Sequence, residues 1–474
     1  MRNATSRAEQ THSNVVSVGN RVLLAAIGAV AYLWATPAVA GVCRYDVTPD
    51  ASQGLAALAL DVTVNCDRAV TATSFAFDYG AGRHAIWGDG PGLAYRIALG
   101  RVASAGARSD FAATQSGVLA PVAAWIAAPA SNAGIERLEI TLHPAEGVHP
   151  TLNLDIDVNG AFVLQHDDWR FSGYAAFAAR PPLSAIAPGP AAFDQPGRNG
   201  PKTADIQIAV LADGLSLSDD GIIAWIERFA GFTARFWAGF PSDRLLIAIV
   251  GDGRLGDPFG RVRGGGGPTM MLRLANRETA EFLATKDWVL THEMIHLGAP
   301  FAQGRPPWFM EGMATYLEGL IRALGGATPE QQVWDGWTRF MPTGAYGLNV
   351  AGLEGGGHPY WTGALFFLLA HTTYAEAGLS NGLTTCFRAI RADLGDAANR
   401  ATVEMLIDAC DRAVGLPVLA NLKRNYSAPT AFDLSALWQK LGVERVASGS
   451  LLIESGSDLR RRMFGTTQFR APTP

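Results

Sequence analysis

The sequence predicts a multidomain α+β protein. A β-rich, sandwich-like N-terminal domain comes first, and a second domain follows that begins as a small α/β part and continues as helices. Three observations carry this reading. At 474 residues the chain is too long for one ordinary core. Residues 41–180 read as short runs rich in β-branched residues between Gly, Asn and Asp turns, with no long helical period among them. After residue 203 the pattern changes to strand, helix, strand and then to sustained helical periods.

The elements follow in order. Residues 22–40, VLLAAIGAVAYLWATPAVA, form a short apolar run with Arg21 before it and Ala38-Val39-Ala40 at its end. A basic flank, an apolar stretch and a small-x-small end predict a secretory signal peptide over residues 1–40. Its removal leaves 35 basic and 42 acidic side chains, a formal charge of −7. LALDVTVNC, TSFAFDY, RLEITLH and LNLDIDVNGAFVL are the strand candidates of the β-rich domain, 41–180. Residues 181–202 hold six prolines and predict an irregular linker.

The second domain is expected over 203–425. DIQIAVL (205–211) and RLLIAIVG (244–251) read as strands. Between them, 218–237 reads as an amphipathic helix with Ser218 as cap and two aspartates in the first turn. GRVRGGGG (260–267) reads as a glycine-rich loop leading into a strand at 269–275. Helical periods are expected at 278–297, 306–324, 359–378, 380–394 and 399–413. The tail, 426–474, holds one short helix, DLSALWQKLG, and a strand-like LLIE.

Composition narrows the class. Hydrophobic residues make up 48% and charged residues 17%, which excludes general disorder. There are 38 Lys and Arg against 43 Asp and Glu, and the basic residues form no cluster, which argues against nucleic acid as a partner. Beyond the N-terminal run nothing is long and apolar enough to span a bilayer. Four cysteines fall as a pair near each end, so proximity favours Cys43–Cys66 and Cys386–Cys410; four buried thiols are the alternative. There is no CxxC pair and no phosphate loop, since GDGRLGDPFG lacks the lysine partner.

The chemistry lies in two adjacent helical segments. Residues 292–296 are His-Glu-Met-Ile-His. On a helix, i and i+4 share a face, so His292 and His296 can hold one metal ion, and Glu293 can reach a water on it as general base. Fourteen residues separate His296 from Glu311, which sits in PPWFMEGMATYLEGL among Trp308, Phe309, Met310, Met313 and Ala314. A carboxylate in apolar surroundings needs a partner. A zinc ion with two histidines needs a third protein ligand and keeps one open position.

These residues resemble a gluzincin metallopeptidase, in which His-Glu-x-x-His precedes a glutamate on the next helix. WFMEGMATYLE is similar to the W-x-x-E-G-x-x-x-Y-x-E pattern of aminopeptidase branches. The best overall match is to the glycyl-aminopeptidase-like family. The resemblance implies a thermolysin-like catalytic domain behind a β-rich one, with His292, His296 and Glu311 as zinc ligands and Glu293 as general base. HPYWTGALFFLLA (358–370) resembles the family's P-Y-x-K-G helix start, whose tyrosine donates to the oxyanion. Tyr360 takes that position. Thr362 replaces the lysine, and His358 is a rival donor. The glycine-rich loop stands where relatives feed an edge strand that pairs with extended substrate, its glycines permitting close approach. Aminopeptidases place an acidic anchor for the free amino group nearby. This chain offers Arg261 and Arg263 instead, which can favour an acidic side chain or a terminal carboxylate, though solvated loop charges are the plainer reading. Asp287, Thr291 and Glu318 are candidates to support the ligands.

The expectation is an exported, periplasmic or extracellular, zinc-dependent metallopeptidase. It hydrolyses peptide bonds with a metal-activated water, and aminopeptidase action is the family's implication. The alternative is a catalytically altered scaffold that acts as an envelope binding protein.

Overall fold

A computed structural model describes residues 41–474 apart from 91, 193–200, 253–257, 286–287, 305–306, 356–357, 448 and 465–474. The expected signal peptide lies outside the described residues, as does Asp287.

The N-terminal domain is a two-sheet sandwich, as its alternating strands require. Its larger sheet has seven strands, centred on Gly41–Asp50, which pairs with Ala59–Cys66 on one side and Ile135–Leu142 on the other. Cys43 and Cys66 face each other across the first pair and form a disulfide. The smaller sheet has four strands, including Gly117–Pro121 and Tyr174–Ala178. Tyr45, Val62, Trp125, Leu138 and Phe177 fill the space between the sheets. Cys386 and Cys410 form the second disulfide, so both expected pairs are present.

A five-stranded mixed sheet opens the second half, in the order Leu183–Pro188, Thr203–Leu211, Arg244–Asp252, Thr269–Ala275, Phe259–Arg263. The three inner strands are parallel and the two outer strands antiparallel. Both faces are covered. Ile206, Ile208, Ile247, Ile249, Met270 and Leu272 pack toward the helices. Ala209, Leu211, Leu246, Ala248 and Met271 pack on Leu119, Tyr174 and Ala176 of the four-stranded sheet. Burial on both faces explains why these strands read as unbroken apolar runs rather than alternating ones.

Two expectations are corrected here. Residues 181–202 are not irregular throughout, because Leu183–Pro188 is the first strand of the five-stranded sheet. It is an edge strand whose proline lies at the end, where the ladder tolerates it. The strand Thr269–Ala275 lies inside the sheet, and the edge is Phe259–Arg263, part of the segment read as a glycine-rich loop.

Asp219–Trp237 is the expected amphipathic helix, and Ser218 Oγ accepts from the Gly221 backbone N–H at 3.1 Å. The segment 278–297 contains two described helices, Ala280–Thr285 and Val289–His296. Pro307–Leu324, Pro359–Glu376, Gly382–Leu394 and Val403–Val414 follow. Glu330–Val350 is a helix that the sequence reading omits, because Pro342 and three glycines weaken its propensity. Tertiary packing of Trp334, Trp337 and Met341 overrides that weakness. The tail adds Leu434–Leu441, a short hairpin and Ser457–Phe464, whose Phe464 meets Trp334 and Trp337 at ring separations of 5.8 and 5.9 Å. Among the described residues no helix is long and apolar enough to cross a membrane.

The helices Pro307–Leu324 and Pro359–Glu376 cross at Gly312 and Gly363. A Cβ on Gly363 would overlap the Trp308 carbonyl oxygen, and one on Gly312 would overlap the Gly363 backbone. Either side of the crossing, Trp308 meets Phe366 at 5.1 Å and Phe309 meets Phe367 at 5.3 Å, both edge-on. Further along, the Tyr316 hydroxyl and His371 Nδ1 lie 2.8 Å apart, both side chains buried. Burial pushes the His371 imidazole down to about 3, so it is neutral and Nδ1 accepts from the tyrosine.

Two predictions follow from this helix pair. In a helix interior, Gly→Ala on its own favours the alanine by about 1 kcal/mol, so a loss isolates the packing. Gly363→Ala should destabilise the protein by about 1–3 kcal/mol in denaturant unfolding, and a neutral or stabilising result would contradict the crossing. His371 is neutral when folded and has an ordinary pKa when unfolded, so the unfolded state binds the extra proton below about pH 6.5. Stability should therefore fall on acidification between about pH 6 and pH 4, by up to about 1.4 kcal/mol per pH unit from this residue. His371→Gln should flatten that slope by one proton, and an unchanged slope would rule the assignment out.

Candidate active site

The motif helix Val289–His296 is buried along its whole length. Val289, Leu290, Met294 and Ile295 seat it in the helical core, and the Thr233 hydroxyl donates to Met294 Sδ at 3.8 Å. Just past it, Gly298 lies against the Trp237 indole where a Cβ would overlap the ring. With its other sides committed to packing, the helix turns His292 and His296 toward Glu311 on the next helix.

His292 Nε2 is 3.3 Å and His296 Nε2 3.6 Å from the same oxygen, Glu311 Oε2. The three donor atoms all lie within 4.8 Å of one another. Both histidines are buried and the Glu311 side chain is about a quarter exposed, so one side opens to solvent. Burial would raise the Glu311 carboxyl, but hydrogen bonds from His292 and His296 outweigh it and hold the group well below the usual carboxylate range. Burial likewise opposes charge on His296, and Glu311 overrides it in the other direction. Two imidazoles and one carboxylate converging on a point, with an open side, suit a zinc-class divalent ion. Among the described residues, His296 Nδ1 is buried without a hydrogen-bond partner, so none of their carboxylates or carbonyls fixes the ring from behind.

Glu293 lies between this cluster and the sheet. Burial pushes its carboxyl up, with Glu311 in the same direction, against the pull of His296, His292 and Arg261. The edge strand Phe259–Arg263 passes over it at Gly260, where a Cβ would overlap Glu293 Cγ and approach Val289 Cγ1 to 2.8 Å. Tyr360 stands on the open side. Its ring stacks on His292, with centroids 6.1 Å apart and planes 26° from parallel. Burial, then the charges on Glu311 and Glu293, push its hydroxyl up to about 12, so it keeps its proton at neutral pH and donates. His358 caps the same helix in the left-handed region, φ 51°, and its ring faces Tyr346 at 6.4 Å. The structure brings His292, Glu293, His296, Glu311 and Tyr360 together, while the ring contact of His358 among the described residues is with Tyr346.

The supporting candidates fall elsewhere. Glu318 pairs with Arg322 at 2.5 Å rather than with a ligand. Thr291 is buried, and its hydroxyl has no hydrogen-bond partner among the described residues. Thr362 is buried in the helix after Tyr360. Arg261 and Arg263 are not simple solvated loop charges. Both meet Asp110 of the N-terminal domain, at 3.3 and 3.2 Å. Arg263 also donates to the Ser172 carbonyl at 2.8 Å and lies over the Tyr79 and Tyr174 rings. The glycines 264–267 make room for protein rather than substrate: a Cβ would overlap Ala397 at Gly264 and Asn153 at Gly267. Sequence reasoning missed Asp110, Trp288 and the role of Gly260. Trp288 is two-fifths exposed and meets the His292 ring edge-on at 5.5 Å. A tryptophan one turn before the first histidine was a usable signal; nothing local marked Asp110.

No protein-family profile matches the sequence, and no curated protein matches it. Among solved structures, an aminopeptidase N family protein from Idiomarina loihiensis superposes with a TM-score of 0.59 at 13% identity, covering 85% of this chain and 78% of that one. The chain has a gluzincin-type peptidase fold. An M1 zinc metallopeptidase from Deinococcus radiodurans aligns at a TM-score of 0.44 and 13% identity, over 81% of this chain and 92% of that one. In this gluzincin-type scaffold the cluster of His292, His296 and Glu311 lies on the two helices that follow the mixed sheet, beside its edge strand.

Gly260 gives a direct test of this arrangement. Gly260→Ala should displace Glu293 while leaving His292, His296 and Glu311 in place. Metal binding by calorimetry should then be retained and hydrolysis should drop about 10²-fold or more. Equal loss of both, or of neither, would contradict the contact.

Proposed function

We propose that this protein is an exported zinc-dependent metallopeptidase that hydrolyses peptide bonds. The observation that carries the reading is the convergence of His292 Nε2, His296 Nε2 and Glu311 Oε2 within 4.8 Å, with Glu293 and Tyr360 at its margin. His292, His296 and Glu311 are the residues that would hold the ion. Zinc held there supplies a Lewis acid that acidifies a water and polarises a carbonyl.

This chain's own residues do the rest. Glu293, its carboxyl raised by burial, accepts the proton of the attacking water and returns it to the leaving amine. Tyr360, protonated at neutral pH, donates to the carbonyl oxygen as it gains charge. His358 is the second-choice donor and lacks that placement. Among the described residues the edge strand Phe259–Arg263 has one unpaired edge, along which an extended peptide can lie. Export is supported by the two disulfides, which persist outside the reducing cytoplasm, and by the apolar segment at residues 22–40.

The test is metal content with turnover. The mature protein, purified without added metal, should hold about one zinc per chain, in line with its three-ligand site. A chelator should abolish hydrolysis of a peptide library. Glu293→Gln should keep the zinc and lose about 10²–10⁴-fold in turnover. Zinc retained with no hydrolysis of any peptide by the unaltered chain would replace this reading with a binding scaffold.

A further inference from the structure

The five-stranded sheet ends beside the proposed reaction centre with a positively charged edge. On the edge strand Phe259–Arg263, Gly260 and Val262 point to the motif helix, so Arg261 lies on the other face with Phe259 and Arg263. Among the described residues Asp110 is the carboxylate paired with both arginines, so two positive side chains share one negative one at this spot. The two arginines differ in how far they are committed. Arg263 is almost fully buried and is engaged by Asp110, two backbone carbonyls and two tyrosine rings. Arg261 is nearly half exposed, and its ion pair with Asp110 is made through Nε, at 3.3 Å. Its charge reaches the reaction centre, where it pulls both the Glu293 carboxyl and the Tyr360 hydroxyl downward.

A peptide paired to the free edge of this strand sets one side chain directly across from Arg261 on the same face. We propose that Arg261 is a specificity residue that selects substrates carrying an aspartate or glutamate side chain at that position. The inference rests on the peptidase reading of the site. A guanidinium presents paired donors to a carboxylate, a geometry that neither an amide nor an ammonium group reproduces. A free amino terminus laid beside Arg261 is repelled, so the positive edge favours acidic side chains within a chain over an N-terminal amine.

The test separates binding from turnover. Fluorescent peptides that differ only in Glu against Gln at one internal position are bound to the mature, zinc-loaded Glu293→Gln chain and followed by anisotropy. The unaltered chain is assayed for hydrolysis of the same set. The Glu peptide at the preferred position should bind about tenfold more tightly than its Gln partner. Arg261→Gln should erase that difference, and Arg261→Lys, which keeps the charge and loses the fork, should restore part of it. Amidating the peptide's C-terminus should leave the preference unchanged. Equal binding of Glu and Gln peptides at every position overturns the proposal. So does a preference that survives Arg261→Gln, or one that follows the terminal carboxylate. A binding preference with no hydrolysis by the unaltered chain would sink the peptidase reading and leave this one standing.

Discussion

The site depends on one steric constraint, the contact of two helices through Gly312 and Gly363. Side chains of ordinary size hold helix axes about 8–10 Å apart. With hydrogen atoms alone at the crossing, the backbones touch. Glu311 immediately precedes one glycine, and Tyr360 lies three residues before the other. The crossing therefore sets the carboxylate and the phenol relative to each other before any polar contact forms. The edge-on aromatic pairs and the buried Tyr316–His371 hydrogen bond lock the register of the same two helices. In WFMEGM the glycine thus has a packing role that is separate from the chemistry of the glutamate before it.

The second support is the mixed sheet. Its inner strands are apolar on both faces because the helices cover one and the N-terminal domain covers the other. This ties the β-rich domain to the site through sheet-on-sheet packing and through Asp110. The edge strand then closes over Glu293, where glycine is the residue that fits. A carboxylate that is both held and partly desolvated is suited to the general-base role proposed for Glu293, and here one strand does both.

Charge balance completes the picture. Glu293, Glu311, His292 and His296 are too deeply placed to be tolerated singly, and each is stabilised by the others. Glu311 is held ionised by the two histidines, while burial keeps the Glu293 carboxyl raised. Two neighbouring carboxyls are driven in opposite directions, a pattern that supports the different roles proposed for them. Arg261 adds a positive charge at the rim from a different layer of the structure.

Much of this was legible in the sequence for local reasons. The i, i+4 histidines, the adjacent glutamate and the apolar flanks of Glu311 are short-range patterns that depend on helix geometry alone. The apolar strands and the Ser218 cap were readable for the same reason, and the cysteine pairs from proximity along the chain. What failed was whatever depended on distant partners. The helix Glu330–Val350 forms against its own propensities because its tryptophans are buried by other helices and by the tail. Residues Leu183–Pro188 become a strand because Thr203–Leu211 offers a ladder. Gly260 became a spacer over Glu293, and Arg261 and Arg263 ion-pair partners, when Asp110, some 150 residues earlier, came to meet them. The sequence by itself determined which chemical groups are present and how each is spaced along its own helix. Tertiary structure decided which of them face one another, because burial and electrostatic pairing act across space and leave no period in the chain.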